Sequence, residues 1–135
     1  MSQSQKIILC VDDERIVLTS LRDQIAHHFD SDYACELAES AEEAWEIIEE
    51  LQSEDAVVLI IVSDWLMPHM KGDEFLIRVH QNFPNIVKVL LTGQADDDAI
   101  ERTRQYANLH RYLPKPWDEK TLIEVLKSGL EEMNE

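Results

Sequence analysis

Asp12, Asp13 and Asp64 are the residues of this sequence best suited to chemistry, and each follows a run of apolar residues. Asp12-Asp13-Glu14 comes after Lys6-Ile-Ile-Leu-Cys-Val11, and Asp64 comes after Val57-Val-Leu-Ile-Ile-Val62 and Ser63. A third run, Ile86–Leu91, ends in Thr92-Gly93, and a short alternating segment, Leu109-His-Arg-Tyr-Leu113, leads into Pro114-Lys115-Pro116. Three carboxylates gathered at one place cannot all stay ionised cheaply without a cation. Oxygen ligands at high charge density suit Mg2+, which keeps several waters and takes one or two carboxylates plus phosphate oxygens. A carboxylate is also a nucleophile toward phosphorus, giving an aspartyl phosphate. The charge on a transferring phosphoryl group needs donors and cations, and Mg2+, the Thr92 hydroxyl and the Lys115 ammonium would supply them. Gly93 would leave room for that group. Singly, each residue has a plainer reading. Asp64 alone is a turn residue or a helix cap, Asp12 and Asp13 suit a helix N-terminus, and Lys115 alone is a surface lysine. The chemistry therefore depends on whether the fold brings them together.

The elements that would do so follow in chain order. Lys6–Val11 reads as a buried strand, followed by a helical stripe of Val17, Leu18, Leu21, Ile25 and Phe29. Asp32–Ala38 is a weaker strand whose interior Glu36 suggests a sheet edge. Ser40-Ala-Glu-Glu43 is a capping box opening a helix with Ala44, Ile47, Ile48 and Leu51 inward. Val57–Val62 reads as a strand buried on both faces. A loop with Pro68 and Gly72 leads to a helix carrying Phe75, Leu76, Val79 and Phe83, which Pro84 ends. Ile86–Leu91 is a fourth strand. Ala95–Asn108 is a helix with a thin stripe, Ala99, Ile100, Thr103 and Ala107, and with Asp96-Asp97-Asp98 in its first turn. Leu109–Leu113 alternates and reads as a second edge strand. Asp118 caps a last helix with Leu122, Val125, Leu126, Leu130 and Met133 inward.

Strict alternation of strand and helix predicts an α/β protein, a parallel five-stranded sheet with helices on both faces. With the second and fifth strands at the edges, the order 2-1-3-4-5 fits, a flavodoxin-like (βα)5 three-layer sandwich. That winding puts the C-terminal ends of the first, third, fourth and fifth strands side by side, and with them Asp12, Asp13, Asp64, Thr92 and Lys115.

Composition narrows the function. The length of 135 residues suits one domain spanning 1–135, with structure expected over about 6–132. Twelve basic against 28 acidic residues leave a net charge of −16, which repels nucleic-acid phosphates. Direct DNA or RNA binding is not expected. Cys10 and Cys35 fall in strands without metal spacing and read as buried reduced thiols. No apolar run reaches the length of a membrane span, no signal-type region follows the polar start, and the chain reads as soluble and cytoplasmic. There is no GxGxxG or Walker A motif to cradle a nucleotide phosphate. His27, His28, His69, His80 and His110 show no ligand spacing, and of these only His69, in the loop after Asp64, has a claim to line the site.

The motifs ILCVDDE at 8–14, SDWLMPHMKG at 63–72, LLTG at 90–93 and YLPKPWD at 112–118, in this order and spacing, resemble the receiver domain of two-component response regulators. The resemblance covers nearly the whole chain. It implies that Asp64 is the phosphoacceptor, and that Asp13 and the backbone carbonyl of Leu66 bind Mg2+ with Asp12 acting through water. It implies that Thr92 and Lys115 contact the phosphoryl oxygens and that Tyr112 is the switch aromatic. Leu66 and Gln94 fall on the positions that tune dephosphorylation, and the Lys115–Pro116 bond is expected to be cis.

The implied function is a phosphorylation switch rather than an enzyme acting on external substrates. A sensor histidine kinase or phosphotransfer protein would donate the phosphoryl group. The readout would reach an effector domain or protein through the 95–132 face, with homodimerisation as a family habit and the thinly packed fourth helix as the mobile part. Two other classes compete. An aspartyl-phosphate phosphatase of the haloacid-dehalogenase type needs an acid where Leu66 stands and usually carries a cap domain, for which there is no room. A phosphorylation-independent interaction module would be expected to have lost an acid, the threonine or the lysine, and none is missing here. No effector domain is expected within these residues.

Overall fold

Five parallel strands form one sheet in the order β2-β1-β3-β4-β5, with five helices between and after them. The computed structural model describes residues 5–29, 33–93 and 97–133. The elements are β1 (Gln5–Val11), α1 (Arg15–His28), β2 (Tyr33–Ala38), α2 (Ala41–Ser53), β3 (Ala56–Asp64), α3 (Gly72–Asn82), β4 (Val87–Thr92), α4 (Asp97–Ala107), β5 (Arg111–Pro114) and α5 (Glu119–Met133). Both strands expected at the edges are there, and the fold class is the expected one.

Side-chain alternation along the strands sorts the core into two layers. Ile7, Leu9 and Val11 face α2, α3 and α4 together with Ile61, Leu76, Val79 and Leu90. Ile8 and Cys10 face α1 and α5 together with Leu21, Val62, Val89 and Leu126. Removing one such fully buried leucine, Leu9 for example, would cost about 2–5 kcal/mol.

Local chemistry sets the helix ends. Ser40 Oγ accepts a hydrogen bond from the Glu43 N–H at 3.0 Å, and Glu43 Oε1 accepts one from the Glu39 N–H at 3.0 Å. The reciprocal cap thus reaches one residue before Ser40. At α5, Asp118 Oδ2 accepts from the Thr121 N–H at 3.1 Å. Trp117 ties α5 to α1 by donating from Nε1 to Gln24 Oε1 at 2.8 Å.

Several expectations need correction. Val57–Val62 is not buried throughout: Val57 is 42% exposed and Leu59 half-buried, while the strand runs on to Ser63 and Asp64. Val57 alternates with Val58 and stands level with Lys6, so its side chain lies on the α1 and α5 side at the N-terminal end of β3, the side of the half-buried Leu59. The fourth strand starts one residue later than expected and includes Thr92. The fifth spans Arg111–Pro114, after a left-handed Asn108 (φ 53°). Asp97 and Asp98 occupy the first turn of α4, whereas Asp32, Ala95, Asp96 and the Met133 side chain lie outside the described residues.

Two contacts had no sequence signal. Cys10 and Cys35 are free thiols whose sulfurs approach to 4.0 Å across β1 and β2, with Cys35 half-buried. Lys88, in the middle of the apolar β4, is only 1% exposed. Its Nζ lies 2.7 Å from His80 Nδ1 and donates to the Pro84 carbonyl at 3.2 Å. Burial lowers its pKa to about 8.

Candidate functional site

The C-terminal edge of the sheet carries the chemistry, at the point where the winding reverses between β1 and β3. The register pairs Val11 with Ser63 and Asp64 with Leu91, so Asp12 and Asp64 leave adjacent strands at nearly the same height. Asp12 is fully buried, Asp64 is 5% exposed and Asp13 is exposed. One carboxylate oxygen from each of the three lies within 4.8 Å of the others. Asp12 Oδ1 accepts the Glu14 N–H at 2.8 Å, which fixes the carboxylate at the mouth of α1.

Lys115 reaches this cluster from beyond β5. Its N–H donates to the Thr92 carbonyl at 2.9 Å, and the Lys115–Pro116 peptide bond is cis. Nζ lies 2.8 Å from Asp12 Oδ2, 3.1 Å from Asp64 Oδ1 and 3.7 Å from Glu14 Oε1. The approach to Asp12 Oδ2 is an ionic contact off the line of a hydrogen bond, so that buried oxygen has no aligned donor among the described residues. Thr92, itself buried, ends β4 beside them. A Cβ at Gly93 would meet only Lys115 Cβ, at 3.7 Å, so the protein leaves that side open.

Electrostatics follow from this packing. Burial and the negative charge of Asp12 raise the Asp64 pKa to about 6, against the pull of Lys115. Burial also raises Asp12, partly offset by Lys115 and the Glu14 N–H. Burial works against the Lys115 ammonium, but its contacts with Asp12 and Asp64 win and raise its pKa. A cluster of three carboxylates with one oxygen lacking an aligned donor fits a hard divalent cation held by oxygen ligands.

The loop after Asp64 is pinned at both ends. The Trp65 N–H donates to the Leu91 carbonyl at 2.9 Å and the Gly72 N–H to the Trp65 carbonyl at 2.7 Å. A Cβ at Gly72 would run into the Asp64 carbonyl oxygen, so only glycine allows this closure. Met67 anchors the loop in the core, Leu66 is 52% exposed, and His69 takes a left-handed φ of 73°.

Asp12, Asp13, Asp64, Thr92 and Lys115 thus meet at one edge. Tyr112 does not join them: it is 47% exposed on β5. His69 lines a cavity between α2 and α3 rather than the carboxylate cluster, because its left-handed backbone sits at the far bend of the loop. Gln94 lies outside the described residues. Sequence reasoning missed three neighbours. Trp65 Nε1 is buried with no acceptor among the described residues, Lys71 Nζ stands 5.2 Å from the centre of the Trp65 ring, and the buried Asp73 holds Arg102 of α4 at 3.4 Å. Nothing in the sequence marks these contacts beyond Asp73 standing as an acid in the first turn of α3.

Residues 8–127 match the response regulator receiver domain, and the chain belongs to that family. It is 30% identical over 131 residues to the hydrogenase transcriptional regulatory protein HoxA of Cupriavidus necator, covering 97% of this chain and 25% of that protein. It thus spans about a quarter of that relative's length. The signal receiver domain of an HD domain-containing protein from Pseudomonas fluorescens Pf-5 superposes with a TM-score of 0.85, at 28% identity and 98% coverage of both chains. The beryllofluoride-activated NtrC4 receiver domain dimer superposes with a TM-score of 0.81, at 25% identity over 94% of this chain and 98% of that one.

Proposed function

We propose that residues 1–135 form one receiver domain in which Asp64 accepts a phosphoryl group from the phosphohistidine of a sensor histidine kinase or phosphotransfer protein. The observation that carries this reading is the Lys115 ammonium held 3.1 Å from Asp64 Oδ1 within a cluster of three carboxylates. With a pKa of about 6, Asp64 is mostly ionised at neutral pH and available as a nucleophile. Its oxygen attacks phosphorus, the phosphorus–nitrogen bond of the donor breaks, and the imidazole leaves with the electron pair. Asp12, Asp13, Asp64 and the Leu66 carbonyl would hold Mg2+, which when bound neutralises charge on the phosphoryl oxygens. Lys115 and the Thr92 hydroxyl contact the same oxygens and fix the group's orientation. Hydrolysis of the acyl phosphate returns Asp64 to its carboxylate.

The output is a population shift. Thr92 moves toward the phosphoryl group, and Tyr112, now at the surface, turns in behind it. An effector domain or protein, or a second copy of the chain, reads the change on the 95–132 face. The net charge of −16 disfavours direct nucleic-acid contact. No described helix is long and apolar enough to cross a membrane, and the proposed setting is the cytoplasm.

Intact mass after brief incubation with Mg2+ and a small phosphodonor tests the reading. The parent should gain one phosphoryl group, Asp64→Asn should gain none, and chelating the metal should abolish the gain. No gain in the parent, with beryllofluoride also failing to bind, would leave a phosphorylation-independent interaction module.

A further inference from the structure

On the sheet face covered by α2, α3 and α4, the helices are unevenly spaced. The buried Asp73 of α3 holds Arg102 of α4, and these two helices pack closely along their length. α2 makes no comparable approach to α3, and the two are bridged by the tilted Trp45 and Phe83 rings, 5.8 Å apart. The gap is a half-open cavity of about 730 Å3. Trp45, Pro68, Met70 and Phe75 give it a mostly apolar lining, with Glu42 and Glu46 exposed on the α2 rim. Neither glutamate has an ionic partner among the described residues. On the α3 rim the charge of Arg78 is already engaged by Glu74, at 3.0 Å.

We infer that this groove docks a basic amphipathic helix of a partner protein, and that the state of Asp64 controls the docking. An apolar floor with an unpaired acidic rim is complementary to a helix carrying apolar residues at i, i+3, i+4 and i+7 and lysine or arginine at the border. A second copy of this chain does not fit, because its own surface is strongly acidic. Control follows from the wall: Pro68 and Met70 belong to the loop that leaves Asp64, pinned at Trp65 and Gly72 but free of sheet pairing between them. Only the control, not the docking, rests on Asp64 being the phosphoacceptor.

The probe is a labelled Leu/Lys amphipathic peptide of about 18 residues, with a scrambled peptide of the same composition, followed by anisotropy at about 0.15 M salt. The patterned peptide should bind at least roughly tenfold tighter than the scramble. The pair Glu42→Lys with Glu46→Lys should weaken it by roughly tenfold or more. The pair Glu124→Lys with Glu131→Lys, which changes charge equally on α5, should leave binding nearly unchanged. Beryllofluoride with Mg2+ should shift the affinity by roughly threefold or more. Equal binding of the scramble, or equal loss from both charge-swap pairs, would reduce the effect to general attraction and overturn the docking. Beryllofluoride that binds without changing the peptide's affinity would overturn the control. If beryllofluoride does not bind while the patterned peptide still selects the groove, the phosphoacceptor reading fails and the docking stands.

Discussion

Gly72 lies against the carbonyl of Asp64 so closely that a methyl group on its Cα would occupy the same space as that oxygen. The loop folds back on the strand it has just left. Gly72→Ala must therefore push the loop or Asp64 aside. The expected cost is about 1–3 kcal/mol in urea denaturation, together with slower phosphoryl uptake from a small donor. Unchanged stability would mean that the loop closes differently in solution.

The Asp64 pKa of about 6 stands above its ordinary value of 3.8 because the charged form is buried beside Asp12. Between those values the folded state binds more protons than the unfolded one, so stability falls as pH rises from about 4 to about 6. Asp64→Asn removes that loss. It should be more stable than the parent by about 1–3 kcal/mol at pH 7, and by little below pH 4. Urea midpoints across this range check the sign.

Lys88 presents the opposite case. Its pKa of about 8 lies below the ordinary 10.5, so the folded state binds fewer protons between those values and stability rises with pH there. Lys88→Met keeps the length of the side chain without the buried charge. It should stabilise the protein at pH 7 by about 1–3 kcal/mol and flatten the rise above pH 8. A destabilised variant would show that the contacts with His80 and Pro84 outweigh desolvation.

Leu66 is exposed at the lip of the site, two residues after Asp64. On the proposed function, an apolar side chain there would hinder the water that attacks the acyl phosphate. Leu66→Asn should speed loss of the phosphoryl group by roughly tenfold, about 1.4 kcal/mol of barrier. An unchanged decay of the phosphorylated mass would remove Leu66 from the account.

Three carboxylates within 4.8 Å repel one another, and a bound cation relieves that strain. Mg2+ at a hundredfold excess over its dissociation constant should stabilise the parent by about 2.7 kcal/mol at neutral pH. The shift in melting temperature should shrink at pH 5, where Asp64 is largely protonated, and in Asp13→Asn. An equal shift in all three conditions would place the cation elsewhere.

The strand ends were readable because apolar runs mark buried parallel strands, and Asp12, Asp13, Asp64 and Thr92 sit one or two positions past such runs, while Lys115 follows the alternating edge segment Leu109–Leu113. Asp12, Asp64, Thr92 and Lys115 needed only the winding to be gathered. Glu36 announced its edge strand by being charged. Lys88 could not be read, because its burial depends on His80 and the Pro84 carbonyl, brought near by the turn between α3 and β4. The approach of Cys10 to Cys35 depends on the register of β1 with β2, which places Cys35 opposite Ile8. Val57 looked buried because its neighbours are; whether a helix covers the start of β3 on the α1 and α5 side is a property of packing that no strand sequence carries. The groove beside Trp45, on the other face, is likewise a matter of helix spacing.

The three tryptophans stand at three separate borders of the molecule. Trp65 adjoins Asp64 with its indole N–H unpartnered among the described residues and an ammonium over its ring, Trp45 floors the gap between α2 and α3, and Trp117 is fastened to Gln24 on the opposite face. Each indole senses a different local field. Variants that keep one tryptophan at a time would give three optical channels, separating in time what happens at the carboxylates, in the groove and along the seam of α1 with α5.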